Sequence, residues 1–271
     1  MGKLEGKVAF ITGAARGQGR SHAIRLASEG ADIIAVDICR QIDSVPYPMS
    51  SSADLASTVA SVQALGRQIV ACEADVRDFG QLSGAFTAGI SELGRVDIVL
   101  ANAGIGPLSI HHRVQEWQDV LDVNLTGTYN TIRLAAPVMI EQGFGGAIVL
   151  TSSTAGLTGY GGDSPGVLGY VASKHGIVGL MRSYANLLAP YQVRVNSVHP
   201  TAVNTPMGVN DAVKEFFDSD PSLAVSLANA LPVSMIEASD VSNAVAWLVS
   251  DDARYVTGTA LPVDAGFINR K

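Results

Sequence analysis

Cysteine is scarce in this sequence, since Cys39 and Cys72 are the only two among 271 residues. Two cysteines cannot build the disulfide framework of a small secreted domain, so we expect reduced thiols in a cytoplasmic protein. Uninterrupted apolar runs of about 18 residues are also missing, although 47% of the residues are hydrophobic. The first residues lead directly into a predicted strand without a signal-peptide hydrophobic segment. We therefore expect neither a membrane span nor secretion.

Positive charge is in deficit as well. The formal net charge is −7 and the isoelectric point is near 5.1, which argues against nucleic acid or an anionic membrane surface as a partner. A chain of 271 residues can bury a substantial core as one large α/β domain. No internal repeat, charged run or linker divides it. We predict a single domain over residues 1–271.

Strand-like apolar runs alternate with helix-length segments along the whole chain. Strands are predicted at residues 7–12, 31–37, 68–74, 96–101, 147–151, 193–199 and 260–263, and helices at residues 21–29, 53–65, 79–93, 116–142, 170–188 and 239–250. Short apolar strands separated by helices indicate a parallel sheet covered on both faces. Right-handed crossovers then predict a doubly wound (Rossmann) seven-stranded sheet with its ligand crevice at the strands' carboxyl ends. Two irregular segments, residues 40–52 and 161–169, are long enough to be functional loops.

Three glycines, Gly13, Gly17 and Gly19, stand between the first predicted strand and the first helix. Strand, glycine-rich turn and helix form the context in which such glycines bind a pyrophosphate. Gly13 would permit a tight turn, Gly17 would let the backbone approach the anion, and Gly19 would allow close helix packing. The helix N-terminus adds free N–H groups and a positive dipole end. A purely structural turn is the alternative.

Asp37 ends the second predicted strand, 18 positions after Gly19. A carboxylate at this place can accept hydrogen bonds from the adenosine ribose hydroxyls of a dinucleotide. The same charge would repel a 2′-phosphate, which favours NAD over NADP. Arg16 could neutralise a 2′-phosphate, so an NADP site stays open as the alternative.

Tyr170 and Lys174 are four residues apart on a predicted helix and therefore share one face. A lysine ammonium beside a tyrosine hydroxyl favours the phenolate and lowers a pKa that is ordinarily about 10. Such a tyrosine can exchange a proton with an alcohol near neutral pH. A surface pair of no catalytic importance is the alternative.

Taken together, these motifs resemble the short-chain dehydrogenase/reductase family over essentially the whole chain. The matching segments are Thr12-Gly13-x3-Gly17-x-Gly19, Asp37, Asp75-Val76, Asn102-Ala103-Gly104, Asn124, Ser152-Ser153, Tyr170-x3-Lys174 and His199-Pro200 leading to Thr205. More narrowly, three stretches resemble the carveol-dehydrogenase-like, mycofactocin-coupled branch of actinobacteria. These are Val36-Asp37-Ile38-Cys39 with the insertion after it, Gly161-Gly162-Asp163-Ser164-Pro165, and Val198-His199-Pro200-Thr201-Ala202.

The resemblance implies four catalytic residues. Tyr170 would be the general acid/base, Lys174 would hold the nicotinamide ribose, and Ser153 would hydrogen-bond the substrate oxygen. Asn124 would hold a water in a proton relay with the lysine, and asparagine is otherwise a poor residue for a helix interior. An ordinary asparagine, either exposed or held by hydrogen bonds of its side chain, is the alternative for this position.

Two positions depart from the family pattern. Ser153 lies 17 positions before the tyrosine, about four more than usual, and we expect the extra residues in the loop 161–169. Ser152 therefore stays open as an alternative. Thr201 stands where the family places glycine after proline, so a side chain there would crowd or hydrogen-bond the nicotinamide end. Thr205 still matches the position that holds the carboxamide.

The resemblance also assigns the cofactor contacts, with NAD as the cofactor and no metal. They are Gly13, Arg16, Gly17, Gln18, Gly19, Asp37, Ile38, Asp75, Val76, Asn102, Ala103, Gly104, Tyr170, Lys174, Val203 and Thr205. Asp75 and Val76 would contact the adenine, although Asp75 could instead, or in addition, cap the following helix. No metal-ligand spacing supports zinc.

An apolar segment at about residues 205–235 is predicted to cover the substrate as a lid. Met207, Phe216, Phe217 and Leu223 give it apolar groups, though these could simply pack the lid against the body. An apolar secondary alcohol or ketone, such as a cyclic terpenoid, fits such a pocket. The family resemblance also implies a homotetramer.

The insertion at residues 38–49 leaves the strand end where the adenosine ribose should lie, and its apolar side chains could fold over the cofactor. We expect tightly held NAD that exchanges slowly, with a surface loop as the alternative. In the narrower branch a retained NADH is reoxidised in place by mycofactocin.

Three functions are open on the sequence. An NAD-dependent alcohol dehydrogenase is favoured over an NADP-dependent ketone reductase, which Arg16 permits. A catalytically idle NAD-binding regulator would not need all four catalytic residues.

Overall fold

The computed structural model describes residues 2–159 and 162–270. Met1 and Lys271, at the ends of the predicted domain, and Tyr160 and Gly161, at the start of the predicted loop 161–169, lie outside the described residues. Seven parallel strands form one sheet. They are β1 (Val8–Thr12), β2 (Asp32–Asp37), β3 (Ile69–Glu73), β4 (Ile98–Ala101), β5 (Gly146–Thr151), β6 (Val193–Pro200) and β7 (Ala260–Val263). Their order in the sheet is β3-β2-β1-β4-β5-β6-β7, which confirms the predicted doubly wound fold.

The central strands are apolar without alternation because helices cover both faces of the sheet. The helices are α1 (Gly17–Ser28), α2 (Ser52–Gln63), α3 (Phe79–Leu93), α4 (Val114–Val120), α5 (Gly127–Gln142), α6 (Pro165–Leu188), α7 (Asp211–Ser219), α8 (Ser222–Ser226) and α9 (Ala238–Val249). Phe10 and Ile11 are neighbours in β1, yet Phe10 belongs to the apolar core on one face and Ile11 to the core on the other. Successive side chains of a strand point to opposite faces, so both layers are built from one short run.

The chain reverses its direction of winding between β1 and β4. Phe10 in β1 pairs with Ile34 of β2 on one side and with Val99 of β4 on the other. Crossovers therefore leave in opposite directions from these strands, and a crevice opens at their carboxyl ends. Asn102, directly after β4, closes the back of this crevice because its Nδ2 donates to the carbonyl oxygen of Thr12 at 3.0 Å.

Some element boundaries differ from the prediction. Helix α1 begins at Gly17 rather than residue 21, because the glycine motif itself forms the first helical turn. Helix α6 begins at Pro165 rather than residue 170, so the loop predicted over residues 161–169 is wrong for residues 165–169. Ser164 caps this helix through a hydrogen bond from the Val167 N–H, and proline suits the first turn.

Two further segments were more complex than predicted. The single helix expected over residues 116–142 is divided into α4, a π-helical turn at Leu121–Thr126, and α5. The predicted lid contains α7 and α8, for which no helix was expected. Within residues 2–159 and 162–270, no helix is long and apolar enough to cross a membrane.

Candidate active site

The backbone of the glycine turn after β1 is packed so closely against its neighbours that side chains would not fit at two of its positions. A Cβ at Gly19 would lie 1.9 Å from the carbonyl oxygen of Gly13, and a Cβ at Gly13 would lie 2.8 Å from the Cα of Ala103. Gly13 also has a φ of +69°, a backbone conformation that favours glycine. The N-terminus of α1 therefore opens directly onto the crevice, where its free N–H groups suit an anion.

Asp37 is held rigidly at the end of β2. Its side chain is buried, and its Oδ2 accepts a hydrogen bond from the Ala15 N–H at 2.8 Å. The Ser50 hydroxyl donates to Oδ1 at 2.5 Å. The carboxylate thus forms a fixed wall of the crevice, and Arg16 lies on the same crevice.

A cleft of about 860 Å³ runs along the carboxyl ends of β1, β2 and β4. Every predicted cofactor contact lines it except Tyr170, Val203 and Lys174. Tyr170 and Val203 line the adjoining cavity instead, and Lys174 lies buried beside Tyr170. The structure therefore places most of the predicted contacts along one cleft, and their contact with a cofactor stays a prediction.

One buried acceptor in this cleft lacks a partner. Within the part of the chain that the structure describes, Gln18 Oε1 is buried and accepts no hydrogen bond. Gln18 lines both the cleft and the adjoining cavity. A buried acceptor without a donor is costly unless a ligand supplies one. The glycine cradle, the fixed carboxylate of Asp37 and this acceptor fit a dinucleotide.

The insertion after β2 is ordered by its own side chains. The Gln41 amide donates to the carbonyl oxygens of Ile42, Val45 and Tyr47 at 3.1, 2.9 and 3.2 Å. Its Oε1 accepts from the Met49 N–H at 3.0 Å. Ile42, Tyr47 and Met49 line the cleft, and the Tyr47 side chain is buried. The segment predicted to cover the cofactor therefore forms a folded wall of the cleft.

A chain of polar contacts ties the same insertion to the body at two points. Arg40 pairs with Asp75 at 3.1 Å, Arg77 pairs with Asp75 at 2.7 Å, and Arg77 also reaches Asp119 at 3.4 Å. Ser44 also belongs to the insertion, and its hydroxyl donates to Asp119 at 2.6 Å. The series of contacts therefore begins and ends in the insertion. Burial raises the pKa of Asp75, but the contacts with Arg77 and Arg40 outweigh it, so the net shift is downward.

Asp75 does not cap the following helix. The cap of α3 is Asp78, whose side chain accepts from the Gln81 N–H at 3.1 Å. The capping alternative for Asp75 is therefore wrong. Asp75 instead accepts hydrogen bonds from Arg77 and Arg40 and lines the cleft.

Lys174 is buried on α6, and Tyr170, one turn before it, is partly buried on the wall of a cavity. The Lys174 Nζ donates to the carbonyl oxygen of Thr151 at 2.8 Å and lies 5.3 Å from the centroid of the Tyr170 ring. Burial lowers the pKa of Lys174 to about 8. Burial raises the pKa of Tyr170, and a hydrogen bond with the Ser153 hydroxyl opposes that rise. The predicted lowering of the Tyr170 pKa is therefore wrong for the polypeptide alone, because desolvation outweighs the favourable contacts.

Ser152 and Ser153 have different partners. The Ser152 hydroxyl donates to the carbonyl oxygen of Lys174 at 2.9 Å, which pins the strand end to α6. The Ser153 hydroxyl accepts from the Ala155 N–H at 3.1 Å, and its nearness to Tyr170 opposes the rise of the tyrosine pKa. Of the two serines, the structure thus brings Ser153 to the tyrosine hydroxyl.

Asn124 lies in the π-helical turn and is fully buried. Its Nδ2 donates to the carbonyl oxygen of Ile105 at 2.9 Å, and its Oδ1 accepts from the Ile105 N–H at 2.8 Å. A Cβ at Gly104 would lie 3.3 Å from Asn124 Oδ1 and 3.7 Å from Lys174 Nζ. Asn124 is therefore not an ordinary exposed asparagine, and π-helical turns are frequent at functional sites.

The adjoining cavity has Ser153 and Tyr170 on its wall and is otherwise largely apolar. Met207 and Phe217 of the predicted lid line it, whereas Phe216 is buried. The role of this segment as a substrate lid stays a prediction.

Thr201 lines this cavity and is hydrogen-bonded to a second residue of its wall. Its hydroxyl donates to Asn229 Oδ1 at 2.7 Å, and the Asn229 amide donates to the carbonyl oxygen of Val233 at 2.8 Å. Thr201, which stands where the family has glycine, therefore connects the end of β6 to the lid. The sequence did not predict this contact, because the two residues are far apart in the chain.

Comparison with known proteins identifies the group to which this site belongs. A family model described as enoyl-(acyl carrier protein) reductase, adh_short_C2, matches residues 13–268. The chain belongs to the short-chain dehydrogenase/reductase family. The chain is 58% identical to an uncharacterized oxidoreductase of Mycobacterium tuberculosis, over 99% of this chain and 98% of that protein. It is 49% identical to (−)-trans-carveol dehydrogenase of Rhodococcus erythropolis, over 98% of this chain and 99% of that protein.

A solved structure matches the fold closely. Carveol dehydrogenase from Mycobacterium avium, crystallised in complex with NAD, superposes with a TM-score of 0.93 at 48% identity and covers 100% of both chains. The predicted resemblance to this family and to carveol dehydrogenases is confirmed. The protein is a short-chain oxidoreductase.

Proposed function

We propose that this short-chain dehydrogenase oxidises an apolar secondary alcohol, such as a cyclic terpenoid, to the ketone with NAD as the hydride acceptor. The observation that carries the proposal is the position of Ser153 and Tyr170 on an otherwise largely apolar cavity beside the dinucleotide cleft. The names of two relatives support it, since one acts on (−)-trans-carveol and another was solved with NAD.

Each catalytic side chain has a distinct task in this proposal. Ser153 and Tyr170 hold the alcohol oxygen between their hydroxyls, and Tyr170 takes its proton as general base. Lys174 donates to the cofactor ribose and places positive charge beside the forming phenolate. Asn124, next to Lys174 across Gly104, holds the water that passes the proton onward. Bound NAD supplies the hydride acceptor.

NAD is preferred over NADP in the proposal because Asp37 is already fixed. Its carboxylate is held by the Ala15 N–H and the Ser50 hydroxyl, so it cannot turn away from a 2′-phosphate. Arg16 lies on the same cleft but does not remove this repulsion. Titration with both cofactors tests the preference, and equal turnover with NADP would contradict it.

We also propose that the insertion retains NADH, which mycofactocin or a similar carrier reoxidises in place. The Tyr47 hydroxyl accepts from the Gly106 N–H at 3.1 Å, so the insertion contacts the opposite side of the cleft. Together with the contacts of Arg40 and Ser44, this bond makes the insertion a fixed cover. Covering a ligand acts mainly on its rate of dissociation.

The retention proposal is tested on protein purified without added cofactor. We expect bound dinucleotide that exchanges slowly with labelled NAD, and several-fold faster exchange in Tyr47→Phe, which loses the acceptor for a buried N–H. Tyr191→Phe, at an exposed tyrosine, is the matched control. Protein that is empty, or that exchanges NAD within each turnover, would contradict retention.

A homotetramer is proposed as the assembly. Val114 on α4, Tyr129 on α5, and Leu168 and Leu187 on α6 are exposed apolar side chains that a helix-to-helix interface would bury. Light scattering at micromolar concentration tests this, and a monomer would contradict it.

The central experiment combines mass spectrometry of the cofactor released from denatured protein with a panel of alcohols. We expect NAD and turnover of cyclic secondary alcohols such as carveol. Loaded protein that oxidises none of the panel would favour the idle regulator over the dehydrogenase.

A further inference from the structure

His199 is a fully buried histidine whose two ring nitrogens are both engaged. It lies near the end of β6, and its Nδ1 is 2.8 Å from the carbonyl oxygen of Ser153. Its Nε2 is 2.8 Å from the hydroxyl of Ser197. His199 belongs to the His199-Pro200 motif of the family, and the family resemblance implied no function for this histidine.

Hydrogen-bond chemistry determines the tautomer of this ring. A carbonyl oxygen can only accept, so Nδ1 must carry the proton that is donated to Ser153. Nε2 of the neutral ring must then accept from the Ser197 hydroxyl. The pKa of His199 is lowered to about 4, mainly by burial, with the hydrogen bond to Ser153 opposing this shift and the charges of Lys174 and His175 on α6 adding to it. The ring is therefore neutral across the physiological range.

The Ser153 backbone needs this support because it lies beyond the sheet ladder. The Ser152 N–H still donates to the carbonyl oxygen of Val198, at 2.9 Å. At Ser153 the carbonyl oxygen accepts from the Gly156 N–H at 2.9 Å and from His199. The Ser153 hydroxyl, on the same residue, lies on the wall of the substrate cavity together with Tyr170.

We infer that His199 is a positioning residue, which fixes the backbone of Ser153 and through it the distance between the Ser153 and Tyr170 hydroxyls. The inference rests on the catalytic pair of the proposed function. Small displacements of a positioned group are costly, since about 1 Å can reduce a rate by about 100-fold. Because the Ser153 hydroxyl opposes the rise of the Tyr170 pKa, a displaced Ser153 also leaves that pKa higher.

Two substitutions at His199 separate positioning from packing. His199→Asn keeps an N–H donor near the place of Nδ1 but is smaller and leaves a cavity. His199→Gln fills more of the volume and can reach Ser197, but it has no donor at the place of Nδ1. A packing role predicts that His199→Asn is the more damaged protein, because cavities destabilise. A positioning role predicts the opposite order for the rate.

The measurement is a single turnover of bound NAD with excess carveol, followed by the absorbance of the reduced cofactor. We expect His199→Gln to lose about tenfold or more in rate and to shift the pH profile of oxidation towards alkaline pH. His199→Asn should stay within about threefold of the unmutated protein. Thermal unfolding of both variants, measured in parallel, reports the packing effect.

A rate order in which His199→Asn is slower than His199→Gln, or an unchanged pH profile in His199→Gln, would overturn the inference. If the unmutated protein oxidises no alcohol, the proposed function fails instead. In that case, or if His199→Gln does not fold, nitrogen-15 spectra of histidine-labelled unmutated protein decide the geometry. They should show the proton on Nδ1, and a proton on Nε2 alone would refute the positioning contact.

Discussion

The two covers of this molecule, the insertion at residues 38–49 and the lid at about residues 205–235, are held in different ways. The insertion is attached by side chains, many of them charged or buried, as in the contacts of Arg40, Ser44 and Tyr47. The lid is attached by backbone bonds from Ala230 and Leu231 N–H to the carbonyl oxygen of Ala265, at 3.1 and 2.9 Å. Arg270 also donates to the lid's backbone, at the carbonyl oxygens of Val225 and Ala228, at 2.9 and 3.0 Å.

Exposure follows the same division. Tyr47 of the insertion is 4% exposed, whereas Val225 and Leu231 of the lid are 68% and 59% exposed. A cover whose side chains are buried in the wall of its site recognises one ligand, while a lid with exposed apolar groups can adapt to its ligand. We therefore expect the cofactor side to be strict and the substrate side to be permissive.

The largest effect on turnover is expected for a substitution of Tyr170, on the wall of the substrate cavity that adjoins the cofactor cleft. Tyr170→Phe removes the proton acceptor and should lower turnover by at least about 100-fold, the usual scale of general acid/base catalysis. The amount of bound NAD should be unchanged, because the cleft is intact. Single-turnover kinetics and a cofactor assay measure both, with Tyr184→Phe on the same helix as the control. Near-normal turnover would show that Tyr170 has another task.

The stability of the cofactor side should depend on pH through His22 of α1. This histidine is fully buried, hydrogen-bonds Ser242 at 2.7 Å, and has a pKa lowered to about 3 by burial. Its pKa in the unfolded chain is about 6.5, so only the unfolded state takes up a proton as the pH falls below that value. The contribution to stability is complete above about pH 6.5 and is lost progressively between about pH 6.5 and pH 3.

Between about pH 7 and pH 5 this loss amounts to about 2 kcal/mol in the free energy of unfolding. Urea unfolding at several pH values measures it. His22→Gln, which does not titrate, should show a weaker dependence by about this amount. An identical pH dependence in the two proteins would show that His22 is not the group responsible.

The preference for NAD over NADP should change less on substitution of Asp37 than turnover does on substitution of Tyr170. Asp37→Asn keeps the shape of the side chain but removes its charge, so we expect the preference for NAD over NADP to fall by about tenfold. Ser50→Ala is the control, because it removes one partner of the carboxylate and leaves the charge in place. Affinity for each dinucleotide, measured by calorimetry, tests this. An unchanged preference in Asp37→Asn would place the selectivity elsewhere.

The smallest effect is expected at the attachment of the lid. Thr201→Val removes the hydroxyl that donates to Asn229 without changing the volume, and it should raise KM for the alcohol by about threefold with little change in kcat. Thr201→Ser keeps the hydroxyl and should behave as the unmutated protein. A fall in kcat without a change in KM would contradict the adaptable lid.

Local patterns in the sequence were enough for the fold, the family and NAD as cofactor. Short apolar strands between helices determine a doubly wound sheet, and Gly13, Gly19 and Asp37 are recognisable because their physical roles depend on neighbours along the chain. The same is true of Tyr170 and Lys174, which a single helical turn brings together.

Burial and long-range contacts were decided only by the tertiary structure. The sequence could not show that desolvation raises the pKa of Tyr170 and lowers that of Lys174, because burial depends on every layer packed around α6. It could not choose between Ser152 and Ser153 on contacts, which depend on a helix that follows later in the chain. The bond from His199 in β6 to Ser153, just beyond the end of β5, joins residues that are 46 positions apart, so only the folded sheet creates it.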